Sequence, residues 1–215
     1  MPAVLRPVLL TEGMGDQIAV PYLLRKIVES LGANEIVPAA RPIKAGDINK
    51  LIRPGQLERF IVYGSSREDG DSVLLILDCD DSCPREVARE FLRRISAIQP
   101  PITKPVGIAF LKKEFECLFF ASLPSIAERY PEFGWKLDKL DITQNMEDIR
   151  GAKGQLSRLM RTGRAYKETR DQVRFVSALD FDLLRVQSRS FRHCESVVEW
   201  MAGRRHGTAQ LYPVV

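Results

Sequence analysis

The stretch that decides the fold is VLLILDCDD, residues 73–81, in which an unbroken apolar run meets Asp78, Asp80 and Asp81. A continuous apolar run of this length predicts a strand buried on both faces, as in parallel sheets covered by helices. The carboxylates then lie where the strand leaves the sheet, which is the edge where ligands bind in open α/β sheets. The sequence therefore predicts an α/β protein with a candidate site at the carboxyl ends of its strands.

The same pattern occurs near the start of the chain, where apolar residues 8–10 precede TEGMGD, residues 11–16. A glutamate beside a glycine in a tight turn lets the backbone and the carboxylate approach a ligand together. Glu12 is therefore a candidate metal ligand or general base, and Asp16 is a candidate metal ligand. The alternative is that either side chain only caps the helix that follows.

Apolar periodicity and turn residues predict alternating strands and helices over residues 1–131, and helices alone over residues 132–215. The predicted strands are 7–10, 35–40, 73–77 and 106–111. The predicted helices are 16–31, 51–60, 84–95, 115–130, 149–160, 166–178 and 194–201. Alternation implies parallel pairing and a three-layer sandwich with a mostly parallel central sheet. We therefore expect an α/β domain over residues 1–131, with a helical, basic C-terminal region, 132–215, packed on it.

The composition suits one globular domain, or one domain with a smaller appendage, because the 215 residues are 45% hydrophobic and carry a net charge of only +4. The four cysteines are too few and too scattered for a disulfide scaffold, so we expect reduced thiols. The N-terminus lacks the pattern of a signal peptide, and no apolar run approaches the roughly 20 residues of a membrane span. These features predict a cytoplasmic protein without a membrane partner.

Asp78 and Asp80 are two residues apart, so in an extended chain their carboxylates point to the same side. Carboxylates gathered at one edge repel one another unless a cation lies among them, and hard divalent cations prefer oxygen ligands. We therefore expect Mg²⁺ or Mn²⁺ near Asp78, Asp80 and Asp81. Capping of the helix that begins near Pro84 is the alternative, and we expect it to hold for either Asp80 or Asp81.

A third group of charges, KKEFE at residues 112–116, follows the apolar run 106–111. If that strand is parallel to the others, Glu114 and Glu116 reach the same edge and can complete a metal site or supply a base. Lys112 can then offset the charge on a phosphoryl group in the transition state. The alternative is a solvated, charged turn.

Basic residues outnumber acidic ones along residues 150–192, which lie in the predicted helical region. A basic region beside an acidic metal site suits a polyanion such as nucleic acid. The residues that we expect to contact it are Arg150, Lys153, Lys167, Arg189 and Arg192. The alternative is that these side chains form ordinary solvated helix faces.

The order of these motifs resembles the TOPRIM fold of topoisomerases, primases and the overcoming-lysogenization-defect (OLD) nucleases. The wider sequence is similar to a bacterial family of uncharacterised TOPRIM-like proteins. The segments that carry the resemblance are residues 10–24, 75–81, 114–119, 151–153, 166–172 and 188–192.

The resemblance implies a Mg²⁺ site made by Glu12, Asp78 and Asp80, together with nuclease or strand-transfer chemistry. It also implies an ATPase partner encoded nearby and a role in anti-phage defence or mobile loci. Three lysines compete for the catalytic role that the resemblance implies: Lys112, Lys113 and Lys153.

We therefore expect a metal-dependent phosphodiesterase that cleaves DNA or RNA, with oligomer formation left open. One alternative is a partner-dependent regulatory subunit of an ATPase complex that is inert by itself. Another is a phosphotransfer or phosphatase domain, since these also place an aspartate at a strand end. Cleavage of nucleic acid by the isolated chain would distinguish the nuclease from the partner-dependent subunit. Reaction with a small phosphodonor or phosphomonoester would test the phosphotransfer or phosphatase alternative.

Overall fold

The computed structural model describes residues 4–39, 41–140, 145–203 and 210–212, and its centre is a five-stranded sheet. The strands are β1 (Pro7–Thr11), β2 (Ile43–Lys44), β3 (Ser72–Asp78), β4 (Val106–Leu111) and β5 (Gln210–Tyr212). They lie in the order β2-β1-β3-β4-β5. The first four are parallel, and β5 runs antiparallel to β4 at one edge.

Helices cover both faces of this sheet. They are α1 (Asp16–Leu31), α2 (Ile48–Ile52), α3 (Gln56–Ser66), α4 (Pro84–Ser96), α5 (Cys117–Ala121), α6 (Leu123–Arg129), α7 (Ala152–Leu159), α8 (Val173–Ser177), α9 (Phe181–Gln187) and α10 (Arg189–Met201). A π-helical segment, Glu168–Gln172, leads directly into α8. Short 3-10 turns occur at Pro131–Phe133, Leu137–Lys139 and Met146–Asp148.

Strands β1, β3 and β4 each contribute side chains to two hydrophobic cores, because successive side chains point to opposite faces. Leu9 and Leu74 pack with α1 and the C-terminal helices on one face. Their neighbours Leu10 and Leu75 pack with α2, α3 and α4 on the other face. Burial on both faces explains why the strands are continuously apolar, and it confirms the predicted α/β fold with three layers.

The C-terminal helices share a layer with α1 and do not form a separate core. Phe119, Phe133 and Phe175 belong to one buried cluster that crosses the predicted boundary at residue 131. Helix α10 lies against β4 at Gly107, where an added Cβ would come within 2.8 Å of Val197. The C-terminal region is therefore packed on the sheet, while its status as a separate unit stays a prediction.

Several local predictions differ from the structure. The predicted strand at 35–40, whose last residue lies outside the described ranges, forms only a single bridge between Ile36 and Leu5. The second strand is instead β2, in a segment for which the sequence predicted neither a strand nor a helix. The predicted helix at 51–60 is two helices, because Gly55 adopts a left-handed φ of +76° between them. Antiparallel β5 was not predicted at all.

All four cysteines lie within the described residues and form no disulfide there. Burial raises the pKa of Cys79, Cys117 and Cys194 to about 12, so these three thiols stay protonated. Within the described residues, none of the helices has the length and apolar character needed to cross a membrane.

Candidate active site

The candidate site lies at the sheet edge where the four parallel strands end. Glu12 follows β1, Asp78 is the last residue of β3, and Lys112 follows β4. The strand order reverses between β1 and β3, because β2 lies on one side of β1 and β3 on the other. Open α/β sheets bind ligands at such a reversal. Glu12 and Asp78 therefore stand where this topology favours a ligand.

The loop between β1 and α1 is held by the carboxylate of Asp16. Asp16 Oδ2 accepts a hydrogen bond from the Gly13 N–H at 2.8 Å, and Oδ1 accepts one from Gln172 Nε2 at 2.8 Å. The N-cap residue of α1 is Gly15, which has no side chain to cap the helix. Neither Glu12 nor Asp16 is therefore the capping residue, and Asp16 instead ties the loop to the C-terminal region.

Gly15 allows the π-helical segment to close over the start of α1. A Cβ at this position would overlap Gln172 Oε1 and lie 2.9 Å from Glu168 Cβ. Single π-helical turns are rare and frequently occur at functional sites. The C-terminal region is therefore part of this edge of the sheet.

Burial and like charges act together on the carboxyl groups at the strand ends. Burial, followed by the charges of Asp16 and Asp80, raises the pKa of Glu12 to about 7. Burial, followed by the charges of Glu12 and Glu116, holds the pKa of Asp78 well above its usual range. Carboxylates that raise one another's pKa are typical of sites that hold a proton or a cation.

Asp80 lies just beyond β3 in a left-handed conformation, with φ of 45°, opposite Lys113 with φ of 64°. The Asp80 N–H donates to the Lys113 carbonyl oxygen at 3.1 Å, which forms an isolated antiparallel bridge. The chain is therefore not extended at Asp80, so the expected alternation with Asp78 does not apply. Burial, followed by the charges of Asp47 and Glu114, raises the pKa of Asp80. Left-handed residues other than glycine cluster at functional sites.

Helix α4 begins without help from the acidic cluster. Its N-cap is Cys83, which makes no side-chain capping bond, and proline occupies the first turn. The prediction that Asp80 or Asp81 caps this helix is therefore wrong. The Asp81 carboxylate instead forms ion pairs with Lys113 and Arg150. The hydrogen bond from Lys113 is the main reason that the pKa of Asp81 lies below its usual range.

Glu114 and Glu116 have different surroundings. Glu114 Oε1 accepts a hydrogen bond at 3.0 Å from the N–H of Ala152, the first residue of α7, which has no partner within the helix. Glu116 is only 1% exposed, and its Oε1 accepts from the Tyr166 hydroxyl at 2.8 Å. Burial raises the pKa of Glu116 to about 7, although the charge of Lys153 opposes the rise. A solvated turn therefore does not describe Glu116.

Lys153 is the second residue of α7, and its positive charge acts on both Glu12 and Glu116. It forms an ion pair with Glu168. Burial lowers the pKa of Lys153, but the charges of Glu116, Glu168 and Asp78 outweigh burial and raise the pKa overall. Glu114 caps the helix that carries Lys153, so both glutamates after β4 help to place this ammonium group.

The two other candidate lysines pair with acids outside this group. Lys112 Nζ lies 2.5 Å from Asp148 Oδ1, and Lys113 pairs with Asp81. Lys112 is therefore paired with Asp148 in the structure, and its catalytic role stays a prediction.

The basic residues expected at a nucleic-acid surface are all exposed: Arg150, Lys153, Lys167, Arg189 and Arg192. Arg192 Nη1 donates to the Arg185 carbonyl oxygen at 2.5 Å. The start of α10 is held by buried Glu147, whose Oε1 accepts from Ser188 Oγ at 2.8 Å and from the Ser190 N–H at 2.7 Å. These hydrogen bonds account for Ser188 and Ser190, while Arg189 and Arg192 remain at the surface.

A family model described as a domain of unknown function, DUF4276, matches residues 11–199. The chain belongs to the DUF4276 family. No curated protein and no solved structure matches the chain. The prediction of an uncharacterised family is thus confirmed. The comparisons indicate no TOPRIM or OLD-nuclease family, so that closer relationship stays a prediction.

Four residues at this candidate site were not assigned to it from the sequence. Tyr166, Glu168 and Gln172 lie in a segment that carried the TOPRIM resemblance, and that segment was the available signal. Asp47 follows β2, and its charge raises the pKa of both Glu12 and Asp80. Because β2 was not predicted, nothing in the sequence indicated that Asp47 lies at the same sheet edge.

The donor atoms at this edge suit a hard cation, because they are oxygens of carboxylates and a hydroxyl. Thr11 Oγ1 and Glu116 Oε2 are buried and have no hydrogen-bond partner among the described residues. Buried polar atoms of this kind are costly and call for a partner. In the part of the chain that the structure describes, no three His, Cys, Asp or Glu side chains are already arranged to hold a metal ion. Mg²⁺ or Mn²⁺ thus fits the chemistry of the site, without a preformed set of ligands.

Proposed function

We propose that this protein is a metal-dependent nuclease, a phosphodiesterase that acts on DNA or RNA. The observation that carries the proposal is the pair of part-buried carboxyl groups at the ends of β1 and β3, whose pKa values are raised by burial first and then by the charges of neighbouring acids. Mutual repulsion of this kind is relieved by a divalent cation. Lys153 among the same acids supplies a positive charge for a phosphate ester.

Glu12, Asp78 and Asp80 are the residues that would hold Mg²⁺ or Mn²⁺. Such a cation polarises a scissile phosphate and lowers the pKa of a water molecule that attacks it. Asp16 keeps the Glu12 loop in place through Gly13 and is the candidate to assist a second ion.

Lys153 is the lysine that we assign to the transition state. Its side chain is 46% exposed, so a substrate can reach it, and its neighbours Glu116 and Glu168 keep it charged. A fixed ammonium group stabilises the negative charge that develops on a phosphoryl group. Lys112 is the weaker candidate, because its ion pair is with Asp148, whereas the charge of Lys153 acts on Glu12 and Glu116.

Exposed arginines and lysines of the C-terminal helices would hold the nucleic-acid backbone, and this binding should weaken steeply with salt. The TOPRIM resemblance supports the same chemistry, since an acidic residue after the first strand and an Asp-x-Asp after a later strand meet at one edge of a parallel sheet. The resemblance also extends the proposal to an ATPase partner and to anti-phage defence.

The experiment is a cleavage assay with purified protein on labelled plasmid, single-stranded DNA and tRNA, in Mg²⁺, Mn²⁺ or EDTA. Wild type should cleave at least one substrate in a metal-dependent way. Asp78→Asn should lower the rate by roughly 100-fold or more, because it removes the negative charge of a ligand of the cation. Asp138→Asn, at an exposed position outside the site, is the matched control and should cleave like wild type.

Equal cleavage by Asp78→Asn and wild type would exclude this site. A second candidate function, a subunit that is active only with its ATPase partner, is favoured by the lack of a preformed three-ligand group among the described residues. Absence of cleavage by the isolated chain with every metal and substrate would support that function over the first.

A further inference from the structure

Asp81 is bound by two cations at the margin of the acidic site. Arg150 holds it in a two-pronged arrangement, with Nη1 2.9 Å from Oδ2 and Nη2 2.8 Å from Oδ1. Lys113 pairs with the same carboxylate through Oδ1. The Asp81 side chain is nevertheless 61% exposed, so a competitor from solvent can reach it.

The backbone of Lys113 is fixed independently of the Asp81 side chain. The Lys113 side chain is only 14% exposed, and its backbone adopts φ of 64° in the bridge with Asp80. A non-glycine residue keeps such a conformation only when its surroundings determine it. The backbone that carries this ammonium group therefore belongs to the rigid end of β4, and the positive charge partly opposes the burial and like charges that raise the pKa of Asp80.

We propose that Lys113 and Arg150 form a binding site for a phosphodiester group of nucleic acid, which Asp81 occupies in the free protein. This inference rests on the proposed function, because it takes the ligand to be the nuclease substrate. Asp81 then competes with the substrate for Lys113 and Arg150, and the site opens when the Asp81 carboxylate is displaced.

The geometry matches a phosphate for two reasons. A guanidinium that grips both oxygens of a carboxylate presents the same pair of donors to two phosphate oxygens. The pair between Arg150 and Asp81 is exposed on both sides, at 72% and 61%, and such a pair contributes little to stability, so a phosphate can replace the carboxylate there at small cost. A phosphate at this position would lie beside Asp80, next to the acids assigned to the metal.

The test measures binding of a fluorescein-labelled single-stranded oligodeoxynucleotide by anisotropy in EDTA, where cleavage cannot occur. Asp81→Asn should bind about 5- to 20-fold more tightly than wild type, because two cations become free. The salt dependence of its affinity should steepen accordingly. Asp182→Asn makes the same change in net charge at a residue that is 94% exposed and paired with Arg185, and it should alter affinity less than 2-fold.

The gain in oligonucleotide affinity should disappear in the double variants Asp81→Asn/Lys113→Gln and Asp81→Asn/Arg150→Gln. Equal affinities of Asp81→Asn and Asp182→Asn, a gain that survives both double substitutions, or no binding by any variant would each overturn the inference. Because the assay contains no metal, a gain without cleavage in Mg²⁺ or Mn²⁺ would sustain this anion site and reject the proposed nuclease.

Discussion

Burial controls the protonation of the Glu116 carboxyl group in the folded protein. This carboxyl group is 1% exposed and accepts a hydrogen bond from Tyr166, and burial raises its pKa from 4.5 to about 7. The folded protein therefore holds this proton to a higher pH than the unfolded chain does. Because the folded state binds more protons between these values, the free energy of unfolding falls as pH rises from about 4.5 to about 7.

Glu116→Gln should remove this loss while keeping an acceptor for Tyr166. We expect the variant and wild type to be equally stable at pH 4.5, and the variant to be more stable at pH 8 by up to about 3 kcal/mol. Urea unfolding without divalent cations measures the difference. Glu128→Gln, at an exposed position of α6, is the control and should follow wild type at both values. A difference in the free energy of unfolding between Glu116→Gln and wild type that stays constant across pH would contradict the raised pKa of Glu116.

At the scale of elements, the start of α1 and the π-helical segment form one unit although they are far apart in sequence. The hydrogen bond from Gln172 to Asp16 joins residues 156 positions apart. Gly15 makes the contact possible, because any side chain there would enter the space of Gln172 and Glu168. The position of the Glu12 loop therefore depends on the C-terminal region.

Gly15→Ala should destabilise the protein by about 1–3 kcal/mol, since the added methyl group overpacks this contact. If the proposed function holds, cleavage should fall as well. Gly154→Ala is the matched control, because a Cβ at Gly154 in α7 meets nothing within 4 Å. It should stabilise the helix by about 0.5–1 kcal/mol. Thermal or urea unfolding of both variants tests the pair, and a Gly15→Ala variant as stable as wild type would refute the close contact.

On the scale of the whole molecule, an aromatic cluster joins the two sides of the predicted boundary. The Phe175 ring lies 5.4 Å from that of Phe119, which precedes residue 131, and 5.1 Å from that of Phe133, which follows it. A buried cluster shared in this way predicts that the sheet and the C-terminal helices unfold together.

Phe175→Ala should lower the free energy of unfolding by about 3–5 kcal/mol, through loss of buried ring area and creation of a cavity. Both tryptophans, Trp135 and Trp200, lie beyond residue 131, so their fluorescence reports the C-terminal region. We expect fluorescence and far-ultraviolet circular dichroism to change at the same urea concentration. Val186→Ala, at a side chain that is 79% exposed, should leave the transition unchanged. A separate, earlier fluorescence transition would instead support two units divided near residue 131.

Strands β1, β3 and β4 could be predicted from the sequence because each is a continuous apolar run that a sheet with two covered faces requires. Strand β2 could not, since two residues carry no periodic signal and β1 alone supplies their partners. Among the site residues, Glu12 and Asp78 could be predicted because they directly follow or end an apolar strand. The environments of Glu114 and Glu116 could not, because Ala152 and Tyr166 decide them.

The sequence by itself determined the fold class and the sheet edge where the acids lie, since chain direction places residues after parallel strands at one end. Only the tertiary structure decided that Lys153 joins these acids and that Lys112 pairs with Asp148. It also decided that Asp81 is bound by two cations. The physical reason is that charge interactions depend on distances in space between elements that are remote along the chain, and apolar periodicity carries no record of those distances.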